Sequence, residues 1–316
     1  MDDKLCFVQF IHPAGEHEPD DGLHKGWNTN VHKRKFLNRV GRLVSNGKVE
    51  QSELLFWGEW EPESEAQRIE APVARGPRFI YEPYYVVPKF YSGLQNTDPF
   101  VFGQQFHYTG CQQRTARGAT RLRYLSKGSV ILFGSCQNRN AFVLDTVFVV
   151  DHWIDHDRAN YRKVLAGEVS QEYKEVTISP WYQDPLIGGR SCAPASPRET
   201  WRLYFGVTRD KPLHGMYSFF PCQTVEAKSK GFARPKISLL GVITDNLNQG
   251  KKLTERQSLG EMKLLWDKVA EQVEQQGLAL GVYAEMPQRH LTDKSAAIGS
   301  ERTRAVAPQP PRCSSS

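Results

Sequence analysis

The sequence predicts an α+β protein in which a mixed, mostly antiparallel sheet or partial barrel packs against a C-terminal helix. Residues 5–11, 128–135 and 142–150 are short apolar runs rich in Val, Ile, Leu and Phe. Runs of this length are typical of buried strands and are too short to cross a membrane. Further strands are predicted at 53–61, 176–180, 201–207, 216–222 and 237–243. These many short runs predict a fold dominated by β-structure.

The clearest helix is predicted over residues 255–276. Its apolar side chains recur at spacings of three and four, which places them on one face: Leu259, Met262, Trp266, Val269 and Val273. Thr254 is expected to cap the helix, with Gln257 completing a capping box, and Gly277 is expected to end it. Packing on the sheet accounts for this apolar face without any functional role.

Length and charge suit one globular domain with a polyanionic partner. The chain has 316 residues, and 41 Lys and Arg against 35 Asp and Glu leave a formal net charge of +6. This mild positive charge fits a nucleic-acid partner, although many other basic proteins share it. We expect residues 1–287 to form a single nucleic-acid-binding or catalytic domain. Residues 288–316 are polar and rich in Pro and Ser, which predicts a disordered tail.

Several patterns bear on compartment and cofactors. No apolar run approaches the roughly 18 residues that a membrane-spanning helix needs, and residues 1–4 are acidic rather than signal-like. We therefore expect a cytoplasmic protein with no membrane partner. The cysteines are scattered without a CxxC pair, which indicates free thiols rather than a disulfide framework or a zinc site: Cys6, Cys111, Cys136, Cys192, Cys222 and Cys313. No cofactor or metal is predicted from these patterns.

The turn-prone stretch 94–103 combines amides, a carboxylate and an aromatic ring. The amides of Gln95 and Asn96 could read a base edge, because such side chains can donate and accept two hydrogen bonds at once. Asp98 could orient a water molecule, and Phe100 could stack on a base flipped out of its helix. We place the chemistry here and treat the apolar strands at 128–150 as structural core.

Two other carboxylates are alternatives to Asp98. Glu16 follows the first predicted strand, on a loop that Pro13 and Gly15 favour, and loops at strand ends often carry working residues. Glu59 falls on the same side of its strand as Trp57, where apolar surroundings could raise its pKa. Each residue could equally be an ordinary exposed acid in a turn or on an edge strand. The site depends on whether loops 12–17, 57–61 and 94–100 converge in space.

Basic residues recur in three segments and predict phosphate contacts. They are Lys33, Arg34, Lys35, Arg114, Arg117, Arg121, Lys230 and Arg234. Asn28 and Asn30 precede the first group and could reach a base or sugar edge, while Trp57 could stack on a base. A solvated charged face is the alternative explanation of such runs.

Residues 151–157 contain two His and three Asp, which could form a metal site. If this segment were helical, His152 and His156 would lie on one face, because they are four residues apart. The spacing does not match an open-site template such as HExxH. A metal-dependent nuclease is therefore the weakest of the functional alternatives.

Two short resemblances suggest a more specific function. The succession Gln95, Asn96, Asp98, Pro99 and Phe100 resembles the water-activating loop of uracil-DNA-glycosylase-type enzymes, in which an amide, an Asp, a Pro and an aromatic occur close together. The strand pair at 128–135 and 142–150 resembles the core strands of PUA-like barrels, a group that includes the EVE and ASCH domains and holds modified bases. The chain as a whole resembles bacterial families tied to DNA base modification and phage defence.

These resemblances imply a modified-base DNA glycosylase of bacterial phage defence. Such an enzyme flips the modified base out of the DNA and hydrolyses its N-glycosidic bond. Loss of the base leaves an oxocarbenium-like sugar, which a nearby carboxylate stabilises while water is activated. The main alternative is a non-catalytic, PUA-like reader of modified bases or RNA, which would tolerate loss of Asp98.

Overall fold

The computed structural model describes residues 3–13, 15–20, 22–29, 32–69, 76–91, 93–115, 117–137, 141–182, 200–225, 231–239 and 250–290. The strands, in chain order, are β1 Cys6–Ile11, β2 His24–Lys25, β3 Lys35–Ser45, β4 Lys48–Gly58, β5 Ser64–Arg68, β6 Phe79–Tyr85, β7 His107–Tyr108, β8 Arg114–Thr115, β9 Gly118–Ala119, β10 Val130–Gln137, β11 Ala141–His156, β12 Trp201–Gly206, β13 Phe220–Thr224, β14 Lys236–Ile237, β15 Gly250–Glu255, β16 Ala279–Ala284 and β17 Gln288–Arg289. The helices are a 3₁₀ turn at Arg121–Arg123, α1 Tyr161–Val164, α2 Gln171–Tyr173, a π-helical turn at Lys174–Ile178, α3 Ser179–Tyr182 and α4 Leu259–Gln275.

The first sheet has the strand order β15-β1-β10-β11-β12-β7, with β14 paired to β11. Its centre, β1, β10 and most of β11, consists of near-continuous apolar residues, because these strands are buried on both faces. The register between β10 and β11 shifts at Gly134, where a Cβ would lie only 2.2 Å from the carbonyl oxygen of Val143. Asp145 is the unpaired extra residue of this bulge, and Ser135 follows Gly134 on the partner strand. Such a bulge changes the direction of neighbouring side chains.

The second sheet has the order β16-β13-β4-β3-β6-β5-β2, with β17 paired to β6. Its central hairpin, β3–β4, turns at Asn46 and Gly47, whose φ angles of 49° and 76° suit a tight Asn-Gly turn. The turn sets a register in which Lys35 lies opposite Gly58. The residues just beyond these two, Arg34 and Glu59, are therefore neighbours.

Helix α4 confirms the predicted apolar face but begins later than the sequence indicated. Met262, Trp266, Val269 and Val273 are buried against the sheets. The predicted cap at Thr254 is wrong, since Thr254 lies in β15 opposite Phe7. The cap is Ser258, whose Oγ accepts the N–H of Glu261 at 3.2 Å. Strand pairing with β1 outcompetes helix formation at 254–255.

The predicted α+β class is confirmed: in the described part of the chain strands predominate, the sheets are mixed, one long helix follows β15, and the strands close no barrel. The predicted strand at 176–180 is wrong, because these residues form the π-helical turn and α3. Within the predicted tail, residues 288–289 pair with β6, and residues 291–316 lie outside the described part of the chain. None of the helices in the described ranges is long and apolar enough to span a membrane.

The described cysteines form no disulfide bonds, in agreement with the scattered spacing. Cys6 and Cys222 are buried, whereas Cys111 and Cys136 are half-buried. Cys192 and Cys313 lie outside the described residues.

Candidate functional site

The three loops predicted to carry carboxylates meet in space. The backbone N–H of His17, in the first loop, donates to the carbonyl of Arg34 at 2.8 Å. The Arg34 guanidinium in turn donates to Glu59 Oε2, just beyond β4, at 2.6 Å. The backbone N–H of Asp98, in the third loop, donates to Glu59 Oε1 at 3.3 Å. The convergence on which the predicted site depends is therefore present.

These loops contribute to a set of interacting ionisable side chains, which we call the charge cluster. Its members are His17, His32, Arg34, Glu59, Glu61, Asp98, Asp145 and Arg234. All of them except His32 are buried. Removing charges from water costs several kcal/mol per ion unless each is paired. A concentration of buried charges of this kind is more typical of a functional site than of a stabilising core.

Arg34 lies at the centre of the cluster. The register of β3 and β4 places it beside Glu59, and the bulge between β10 and β11 carries Asp145, its second partner. Arg34 binds Glu59, and its Nε lies 3.4 Å from Asp145 Oδ2. Arg234 approaches the other Asp145 oxygen at 3.1 Å, donates to Ser135 Oγ, and covers the Trp57 ring. Burial raises the pKa of Asp145, and the charges of Arg234 and Arg34 oppose that rise.

Glu61 lies between two histidines. His32 Nδ1 is 3.1 Å from Glu61 Oε1 and 3.2 Å from Glu59 Oε1. Burial acts to lower the pKa of His32, but its hydrogen bonds to the two carboxylates outweigh burial and raise the pKa to about 11. Burial acts to raise the pKa of Glu61, yet the adjacent imidazoles of His17 and His32 hold that pKa far below its usual range. Burial lowers the pKa of His17.

Asp98 is buried and fixes the backbone turn after β7. Its two carboxylate oxygens accept the N–H of Thr109 at 2.9 Å and the N–H of Cys111 at 3.1 Å. Burial raises the pKa of Asp98 well above its ordinary value, and the nearby Glu59 charge adds to this effect. The two N–H groups oppose the rise without cancelling it. A carboxyl group whose pKa is raised holds a proton more readily than an exposed carboxylate does.

Several buried polar atoms around the cluster have no hydrogen-bond partner among the described residues. They include both ring nitrogens of His12, Nδ2 of Asn96, Nε1 of Trp57 and Nη1 of Arg34. Native proteins pair most buried polar groups, so a concentration of unsatisfied ones points to bound water, an ion or a ligand. The polar atoms offered here, chiefly N–H donors and an imidazole, can bind the polar edge of a small planar molecule.

Three of the residues predicted to grip phosphates are inside the protein, and for them the prediction is wrong. Arg34 and Arg234 neutralise carboxylates within the charge cluster. Lys35 is fully buried and donates to Ser64 Oγ at 3.2 Å, and burial lowers its pKa to about 7. All three side chains are buried, so an external phosphate backbone cannot reach them.

The other predicted phosphate contacts remain predictions. Arg117 is exposed, Lys33 is half-buried, and Arg121 is exposed but paired with Glu255 at 2.6 Å. The half-buried Arg114 covers the ring of Trp201. Lys230 lies outside the described residues.

Three of the residues predicted to stack on or read a base are buried: Phe100, Trp57 and Asn96. Phe100 is fully buried against Phe102 and Tyr173, so its proposed stacking on a flipped base is wrong: its faces are already covered. Trp57 is buried with its indole N–H unsatisfied, as is the amide nitrogen of Asn96.

The remaining predicted amides and Glu16 lie further out. The Gln95 N–H donates to the carbonyl of Asn28 at 2.9 Å, which joins the two segments, and both side chains are half-buried. Asn30 lies outside the described residues. Glu16 pairs with the exposed Arg78 at 3.3 Å, outside the charge cluster.

The His/Asp run at 151–157 does not form a metal site among the described residues. It continues strand β11 as far as His156, so the predicted helical face is absent. His156 is fully buried between Tyr182 Oη, at 2.7 Å from Nδ1, and Thr109 Oγ1, at 3.1 Å from Nε2. Its neighbours on the strand point to other partners, as in the ion pair of Asp155 with Arg202.

The buried His156 is expected to make stability depend on pH. Burial lowers its pKa from 6.5 to about 4, and the charges of nearby aspartates only partly oppose this. Below about pH 6.5 the unfolded chain takes up a proton that folded His156 does not bind. The free energy of unfolding should therefore fall as the pH is lowered from about 6.5 to about 4, by roughly 3 kcal/mol.

Urea denaturation between pH 4 and pH 8 tests this expectation. The slope of the free energy of unfolding against pH reports how many more protons the unfolded chain binds than the folded chain. In His156→Gln this number should be about one lower than in the wild type. His152→Gln, on the same strand but half-exposed, is the matched control and should keep the wild-type slope. Equal slopes in His156→Gln and wild type would contradict the assignment.

Sequence reasoning missed several members of the site. Glu61 could have been found, because strand alternation puts it on the same side as Glu59. His32 was not predicted as a site residue, because the basic run at 33–35 that follows it is the stronger pattern. Asp145 was treated as part of an apolar strand, and no local pattern connects it with Arg34 or Arg234.

Comparison with known protein families, with curated proteins and with solved structures found no match to this chain.

Proposed function

We propose that this protein hydrolyses the N-glycosidic bond of a modified base in DNA, with Asp98 as the residue that activates water. The observation that supports this most directly is the junction of the 95–98 turn with β4, where Glu59 accepts the Asp98 N–H at 3.3 Å. This contact brings the predicted catalytic turn into the charge cluster. Asp98 is thereby buried beside other charges rather than exposed on a loop.

The state of Asp98 suits the reaction. When the C1′–N bond breaks, its electron pair leaves with the base, and water oxygen bonds to C1′. The water must lose a proton, and a carboxylate whose pKa has been raised by burial accepts it more readily. The same carboxylate stabilises the positive charge that develops on the sugar. Glu59 acts as a positioning residue, since it holds the backbone of Asp98.

The unsatisfied polar atoms support a planar polar ligand in this region. Asn96 lies two residues before Asp98, and His12 begins the loop that also carries His17. An amide nitrogen can donate to the edge of a base, and an imidazole can donate to it or accept from it. Half-exposed His32, at 37% side-chain exposure, lies on the solvent side of the cluster and marks the side from which a flipped base would enter.

DNA as the substrate is supported more indirectly. The net charge of +6 favours a polyanion, and Arg117 is exposed. The loop and strand resemblances suggest a modified base, and a role in defence against phage follows from them as part of the proposal.

The test is to incubate the purified protein with phage DNAs that carry different base modifications, with and without EDTA. Mass spectrometry of the small-molecule fraction detects free base, and alkali treatment reveals abasic sites. The proposal predicts release of one class of modified base that survives EDTA. Tight binding without product would instead favour the non-catalytic reader, and strand cleavage only with added metal would favour a nuclease.

A further inference from the structure

His32, Glu59 and Glu61 present one potential ligand atom each to a common point. The three atoms lie within 4.8 Å of one another. The two measured ligand-to-ligand distances from His32 Nδ1, 3.2 Å to Glu59 Oε1 and 3.1 Å to Glu61 Oε1, are close to the roughly 3.3 Å separating ligands of a tetrahedral ion with bonds near 2.0 Å. One imidazole N–H can be directed well at only one of two carboxylate oxygens, so hydrogen bonding alone satisfies this arrangement incompletely.

A second, independent observation comes from His17. Its side chain is 98% buried, as 2% is exposed, and its Nε2 has no hydrogen-bond partner. That nitrogen lies 3.8 Å from Glu61 Oε2, which also lacks a partner. The separation is too long for a hydrogen bond, so a buried carboxylate oxygen of the group is left without a partner. His17 itself is not one of the three residues whose ligand atoms lie within 4.8 Å of one another.

The surroundings hold these donors in place. Arg34 binds Glu59 Oε2, which leaves Oε1 directed toward His32. The backbone N–H of Glu61 donates to Thr97 Oγ1 at 3.1 Å, which fixes the end of the β4 segment against the third loop. Outer contacts of this kind orient the ligands in natural metal sites.

We propose that His32, Glu59 and Glu61 bind one divalent transition-metal ion of the zinc or cobalt type. The ion displaces the proton of His32, so one neutral imidazole and two carboxylates carry a charge of −2, which balances the ion. The nitrogen donor favours zinc, cobalt or iron over magnesium and calcium, which prefer oxygen. Three protein ligands leave one position of a tetrahedral shell for water, and the ion ties the segment before β3 to the residues that follow β4, beside the turn that carries Asp98.

The test is to titrate chelator-treated protein with Co²⁺ and with Zn²⁺. Calorimetry should show one ion bound per chain, and Co²⁺ should give visible absorption bands of tetrahedral intensity. Zn²⁺ should also raise the melting temperature, because it binds the folded chain preferentially. Glu61→Gln and His32→Gln should each weaken Co²⁺ binding by at least about tenfold, as loss of even supporting contacts does in known sites.

His152→Gln is the control, since it removes an exposed histidine beside an aspartate outside the cluster and should bind Co²⁺ as wild type does. His32 is partly exposed, so His32→Gln should stay folded even where Glu61→Gln does not, and circular dichroism checks both. Absence of one-to-one binding in the wild type, or unchanged affinity in folded His32→Gln, would overturn the proposal. These readouts do not involve DNA, so their outcome is independent of the glycosylase assay.

Discussion

Asp98→Asn is expected to reduce the rate of base release by about 100- to 10,000-fold, the usual contribution of a general base. The amide cannot take a proton from water. It should also lose one of the two hydrogen bonds that Asp98 accepts, since an NH₂ group would face the N–H of Thr109 or Cys111. Single-turnover release of the modified base, measured with excess protein, reports the chemical step directly.

The lost hydrogen bond makes stability the necessary control for this variant. Leaving a buried donor unsatisfied costs about 1–3 kcal/mol, which a melting curve detects. Asp155→Asn is the matched control, because it removes the same charge from an ion pair with Arg202 outside the charge cluster. It should keep the wild-type rate. Full activity in Asp98→Asn, or a loss no larger than the loss of folded protein, would show that Asp98 does not transfer the proton.

Arg34→Met is expected to lower the free energy of unfolding by about 3–5 kcal/mol. Methionine matches much of the volume of the arginine stem but leaves Glu59 and Asp145 buried with less positive charge beside them. The Arg34–Glu59 pair has a 2.6 Å contact, and each side chain is only 3% exposed. Equilibrium urea denaturation at pH 7 measures the effect.

Arg121→Met provides a matched comparison at the surface. Arg121 contacts Glu255 at the same 2.6 Å distance, but the two side chains are 62% and 40% exposed. Water and salt screen such an exposed ion pair, so its loss should lower the free energy of unfolding by at most about 1 kcal/mol. If Arg34→Met and Arg121→Met lower the free energy of unfolding by the same amount, the charge cluster is better solvated than its burial indicates.

Much of the architecture could be predicted from local patterns. The buried strands β1, β10 and β11 follow from runs of Val, Ile, Leu and Phe, and the buried face of α4 follows from its 3.6-residue period. The start of that helix could not be predicted, because Thr254 and Ser258 are both good caps. Pairing of β15 with β1 decided between them.

The candidate site was predicted only in part. Alternation along β4 places Glu59 beside Trp57 from sequence alone, and composition marks the 95–98 turn. Arg34 and Lys35 were misread as surface residues, because the charge pattern of the basic run carries no information about the groups that would bury them. Arg34 pairs with Glu59 and with Asp145, which are 25 and 111 positions away.

The sequence alone determined which segments are strands, which face of α4 is buried and which turn is rich in amides and acid. These properties depend on neighbours a few residues apart. Only the tertiary structure decided that four carboxylates, two arginines and two histidines meet in one place. A charge can be buried only when partners from distant strands satisfy it, and those partners are set by the β3–β4 register and the bulge at Gly134.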